Sequence, residues 1–298
     1  MLIHNPRKSR QAAEGAGLRF AARTLAPYSL AGILIIVAGE VLLFAGVRWI
    51  SQWFTPIMWT GYILFLDGVI LSRKGTSLLS GYPREFAILA VISVGSWEIF
   101  EGYNLLLRNW RYIDMPESFA VRCIGYAWSY ATISPGMFLT YEFLEDVLPG
   151  RNPDASPRLA NPLFYTLVLF GLACVVVPVI RPSTGMAPLV WIGWAFLLDP
   201  INQRLGERSF VSELFSGKAR SILVMFLAGL LCGVLWEFWN FWAATKWEYE
   251  VPYFGNIKIF EMPVLGFLGF MPFAVESYAI YVFLRRLIPI ERQVRYLG

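Results

Sequence analysis

Long apolar stretches alternate with short polar segments along almost the whole chain, and a helix that crosses a bilayer needs roughly 20 mostly apolar residues. Eight stretches fit, at about 27–49, 56–72, 86–107, 119–144, 163–180, 187–201, 220–243 and 263–284. The second, fifth and sixth are short for a crossing. The intervening segments collect most of the Arg, Lys, Pro and Asn. This pattern predicts an all-α polytopic membrane protein of about eight transmembrane helices.

Composition agrees, with 57% hydrophobic residues, 15% charged residues and a mean hydropathy of +0.54, well above a soluble domain. The first stretch is too long for a signal peptide and no small-residue cleavage site follows it, so it is expected to be a retained helix. With the amino terminus in the cytoplasm, 18 of the 25 Lys and Arg fall on inside segments, among them Arg7, Lys8, Arg73, Lys74, Arg151, Arg158, Arg204, Arg208, Arg285 and Arg286. That asymmetry predicts cytoplasmic termini in a cell membrane, of the bacterial inner-membrane kind. The net charge of +4 then reads as topology information and attraction to lipid headgroups, with no nucleic-acid partner.

The two halves of the chain echo each other. Gly61-Tyr62 with Leu66-Asp67 recurs as Gly193-Trp194 with Leu198-Asp199. Phe100-Glu101-x-x-Asn104 recurs as Trp236-Glu237-x-x-Asn240, each followed by Trp-x-Tyr, as Trp110 to Tyr112 and Trp247 to Tyr249. Pro135 and Pro272 follow in the last helix of each half. Interfacial aromatics at helix ends account for the Trp and Tyr. They do not account for Glu and Asn held in register with them. The expectation is two tandem four-helix repeats related by a pseudo-twofold axis along the membrane normal, because an even helix number brings both copies in from the same side. The layout is a basic cytoplasmic tail over 1–26, repeat 1 over 27–150, a cytoplasmic linker over 151–162, and repeat 2 over 163–298 with a short basic tail.

Intramembrane carboxylates are costly and therefore candidates for function. They are Glu40, Asp67, Glu98, Glu101, Glu142, Asp199, Glu237 and Glu276. Glu98, Glu101 and Asn104 lie at i, i+3, i+6, and with Glu237 and Asn240 they are expected to face a shared interior. Two acids one turn apart suit proton donation, so Glu101, Glu237 and Glu98 are the catalytic candidates. Asn104, Asn240, Trp97, Trp110, Trp236, Trp247, Tyr112, Tyr249, Glu276 and Glu142 are the candidate ligand contacts. The bland alternative is that these groups lock helices together by hydrogen bonds. For Asp67 and Asp199, near helix ends, capping or pairing with Arg and Lys is the favoured role. Cys123, Cys174 and Cys232 have no metal or redox spacing, and the one histidine, His4, lies in the tail, so neither a metal nor a cofactor is expected.

Trp236-Glu237, Trp247-Glu248-Tyr249, Gly255 and Met262-Pro263 resemble the integral-membrane lycopene cyclase domain family, over the last two helices of each half. The family's Pro-x-Glu-Glu signature is absent; Pro116-Glu117 and Pro272 with Glu276 come nearest. The resemblance implies a long isoprenoid bound between the repeats, with Glu101 and Glu237 as proton donors. Three functional classes stay open. One is a cofactor-independent protein that binds or modifies an isoprenoid or pigment-like apolar lipid. Another is an accessory subunit of a larger membrane complex, and the third is a proton-coupled transporter.

Overall fold

The computed structural model describes residues 25–153, 155–250, 255 and 257–292. Apart from Leu25 and Ala26, the amino-terminal tail with His4 lies outside the described residues, as does Arg295. In chain order the helices are α1 Pro27–Phe44, α2 Arg48–Gln52, α3 Phe54–Lys74, α4 Leu78–Gly81, α5 Pro83–Leu107, α6 Phe119–Ala131 and α7 Ile133–Val147. They continue with α8 Asn161–Ile180, α9 Ala187–Arg204, α10 Phe210–Phe215, α11 Arg220–Trp242 and α12 Phe267–Leu287. Four short strands join them: β1 Trp110–Ile113, β2 Lys246–Tyr249, β3 Lys258–Ile259 and β4 Met262–Pro263. The architecture is helical with two small ribbons, β1 paired with β2 and β3 with β4.

Among the described residues seven helices are long and apolar enough to cross a membrane: α1, α3, α5, α8, α9, α11 and α12. The chain is a multi-pass membrane protein. Its outermost helices are α1 and α8, which turn Leu34, Phe44, Leu169 and Ile180 outward where lipid would meet them. Both dock through glycine. A Cβ on Gly32 would fall within 2.5 Å of the Gly61 carbonyl oxygen, and one on Gly171 would collide with the backbone of Phe196 and Leu197. Only a missing side chain lets these backbones approach so closely.

The expected fourth span is broken. Pro135, in the first turn of α7, has no N–H to bond the carbonyl four residues earlier, and the helix divides at Thr132 into segments of 13 and 15 residues. Tyr126 in α6 packs on Tyr112 of β1, with ring centroids 5.4 Å apart. At the far end of α7, Glu142 and Asp146 pair with Lys74 and Arg73 of the last turn of α3. The two segments together therefore run from the β1–β2 ribbon to the opposite end of α3.

Several charged groups inside the bundle are held by hydrogen bonds that fix helix ends and join helices. Asp67 accepts from Ser77 Oγ at 2.7 Å, the Leu79 N–H at 2.9 Å and the Tyr28 hydroxyl at 2.8 Å. Asp199 accepts from Ser209 Oγ, the Phe210 N–H at 3.2 Å and the Val211 N–H at 3.0 Å. Each aspartate takes up N–H groups at the start of the short helix that follows. Glu85 and Arg285, both buried, join α5 to α12 through contacts of 2.6 and 3.0 Å, and Tyr281 donates to the same carboxylate. The linker after α7 is fastened by Arg220, which donates to the carbonyls of Glu145, Leu148 and Pro149.

Candidate functional site

The site begins with two asparagines. Asn104, in the last turn of α5, donates Nδ2 to the Trp110 carbonyl at 2.9 Å and accepts the N–H groups of Asn109 and Trp110 at 2.9 and 3.1 Å. Asn240, in the last turn of α11, donates to the Trp247 carbonyl at 2.8 Å and accepts the Trp247 N–H at 2.9 Å. Each side-chain amide behaves as one more rung of backbone pairing and fixes where its strand leaves the helix. The strands then pair antiparallel, Trp110 opposite Tyr249 and Tyr112 opposite Trp247. Because side chains alternate along a strand, these four aromatics share one face. Arg111 and Glu248 occupy the other face and form an ion pair at 3.0 Å.

Behind the aromatic face stand the two glutamates. Glu101 Oε1 accepts from Tyr112 at 2.5 Å, Trp97 at 2.9 Å, Tyr130 at 3.2 Å and Trp110 at 3.3 Å. Glu237 Oε1 accepts from Tyr249 at 2.8 Å and Trp247 at 3.3 Å, while its Oε2 has no hydrogen-bond partner among the described residues. Tyr112 and Tyr249 titrate well above the ordinary phenol range, chiefly through burial and then through neighbouring charge, from Tyr130 and Glu101 in one case and from Glu237 in the other. Both remain hydrogen-bond donors at any physiological pH.

In front of these rings is a cavity of about 510 Å³. The ribbon closes one end, and Trp59, Trp97, Trp191, Trp236 and Phe273 line it deeper in the bundle. These rings form a continuous wall: Trp97 lies 5.9 Å from Trp110, Trp191 lies 5.5 Å from Phe273, and Trp59 lies 4.8 Å from Trp236. α6 closes a flank with Arg122, Tyr126 and Tyr130. Lys246 also borders the cavity and is paired with Glu261. Ligand sites are commonly of this size and character, mostly apolar with a few placed polar groups.

Of the residues singled out from sequence, the cavity brings together Trp97, Trp110, Tyr112, Trp236, Trp247 and Tyr249. Glu101 and Glu237 stand one layer behind it, and Asn104 and Asn240 hold the ribbon. Glu98 does not share this interior; it is exposed. Steps of three residues rotate a helix face by about 60°, so Glu98 and Asn104 diverge by about 120° and both cannot face inward with Glu101. Glu142 lies near the opposite end of α3, with Lys74. Glu276 is buried between α12 and α9, where it accepts the Trp194 N–H at 2.9 Å. Glu40 accepts from Trp239. Trp59, Trp191, Phe273, Tyr126 and Tyr130 were hidden in the sequence as ordinary members of apolar spans. One signal was available: Trp59 and Trp191 stand in the same spacing as Asp67 and Asp199. Comparison with family models, curated proteins and solved structures finds no match to this chain.

Proposed function

We propose that this protein binds a single apolar, π-rich small molecule, of the isoprenoid or pigment-like class, in the aromatic cavity. The observation that carries the reading is the wall of indole, phenol and phenyl rings, contributed by both halves of the chain and enclosing about 510 Å³. So many large aromatics around a void are hard to account for as packing alone, because a core that needed only stability would fill the space. Tyr112, Tyr249 and the tryptophans are then the groups that touch the ligand. Glu101 and Glu237 act through them as positioning residues, and any proton either glutamate delivers passes through a tyrosine hydroxyl.

The reading includes the tandem arrangement. Matched contacts support it: Asp67 with Ser77 and Leu79 parallels Asp199 with Ser209 and Val211, and Asn104 with Trp110 parallels Asn240 with Trp247. A twofold axis also generates the kind of pairing seen in the ribbon, in which Trp110 meets Tyr249 and Tyr112 meets Trp247. In this account α6 and α7 form an eighth, broken crossing and both termini face the cytoplasm.

The test is an organic extract of the purified protein. A stoichiometric apolar molecule that is depleted in Trp191→Ala supports the reading. An extract no different from bulk lipid, with a fixed set of co-purifying membrane subunits, overturns it in favour of an accessory role.

A further inference from the structure

The electrostatics of the cavity wall specify more than an apolar fit. Glu101 gathers four hydrogen-bond donors and Glu237 two, every one of them an indole N–H or a phenol O–H. Among the described residues no Lys or Arg forms an ion pair with either glutamate. Glu237 is fully buried, and its second oxygen lacks any partner among those residues. Two carboxyl groups without an ion-pair partner among the described residues therefore sit behind the rings. The basic groups at the cavity are already engaged elsewhere: Lys246 with Glu261, and Arg122 with the carbonyls of Pro116 and Glu117 at 2.9 and 3.0 Å.

A ring that donates its edge hydrogen to a carboxyl oxygen is polarised, and its π face becomes more electron-rich. Such faces attract cations, most strongly when water is excluded. The wall offers few free acceptors, so an ammonium with N–H groups would lose hydrogen bonds on entering, whereas a fully alkylated one would not.

We propose that the ligand of this cavity carries a positive charge, as a trialkylammonium or similarly soft organic cation, held against Trp97, Trp110, Tyr112, Trp247 and Tyr249 with Glu101 and Glu237 as counter-charges behind the rings. The proposal rests on the cavity being a ligand site, and it narrows the ligand from a wholly apolar molecule to one with an apolar body and a cationic head.

The experiment compares benzyltrimethylammonium with neopentylbenzene, which has the same shape without the charge. Each is titrated against the full chain in alkyl-maltoside micelles, which have no choline headgroups, with tryptophan fluorescence as the readout. The expected result is that the cation binds about tenfold tighter or more. The double variant E101Q/E237Q should lose most of that preference while it still binds the neutral probe. Tyr249→Phe, which keeps the ring and removes its hydrogen bond to Glu237, should reduce the preference in part and serves as the readout if the double variant does not fold. Equal affinities in the wild type, or a preference unchanged in these variants, would overturn the charge assignment and leave the apolar site standing. Failure of both probes to bind would overturn the site itself.

Discussion

Replacing Glu101 by Leu removes the acceptor on which four aromatic donors converge. Tyr112 and Tyr130 have an alternative, since their hydroxyls lie 3.2 Å apart and can bond each other. That contact satisfies only one of the two O–H groups, and the indole N–H groups of Trp97 and Trp110 have no alternative, so three donors are stranded. A stranded buried donor costs roughly 1–3 kcal/mol. Trp110 is buried and Trp97 half-buried, which places the total in the lower part of the range, about 3–4 kcal/mol. Glu101→Gln keeps an acceptor oxygen in nearly the same place and forfeits only the charge assistance, a loss of about 1 kcal/mol. At roughly 2 °C per kcal/mol for a chain of this length, thermal melting in maltoside micelles should fall by about 6–8 °C for Leu and about 2 °C for Gln. If Leu melts with the wild type, or Gln falls as far as Leu, the glutamate is not the hub that holds these rings.

Asn240→Leu should strand the Trp247 N–H and carbonyl, cost about 2–4 kcal/mol and speed hydrogen exchange across the ribbon, while Asn240→Asp, which keeps the acceptor, is milder; equal effects of the two would refute the pinning role. Glu85→Gln should destabilise by about 3–5 kcal/mol by leaving Arg285 buried without its charge partner, and adding Arg285→Gln should recover part of the loss. Additive losses in that double variant would show that the pair is not coupled. Reporter fusions after residue 155 should report the opposite side of the membrane from fusions near residue 114. The same side for both would mean that α6 and α7 do not cross.

The membrane helices were legible because hydropathy over a long window survives local irregularity, and their positions follow the apolar stretches closely. The three spans that looked short are two to four residues longer as helices; the second runs from Phe54 through Arg73 and Lys74. The break at Thr132 has its physical cause in Pro135, which divides the helix at the first turn of α7, where local bonds to Ser129 take over. Much of the aromatic site was readable because Glu, Asn and Trp-x-Tyr recur in register. The ribbon was not readable. Four-residue strands give almost no periodic signal, and their pairing depends on a contact between residues some 135 apart. Glu85 escaped notice for a similar reason, since at the start of α5 it resembles a surface acid until Arg285 comes to meet it.

The most direct measurement is an experimental structure of the protein purified without added ligand, at a resolution that separates side chains. The account predicts continuous density for one molecule among Trp97, Trp191, Trp236 and the β1–β2 ribbon, with Glu101 and Glu237 still bonded to the backs of the rings. A chamber closed by rotated tryptophans, or one that holds only ordered water on the glutamates, would contradict it.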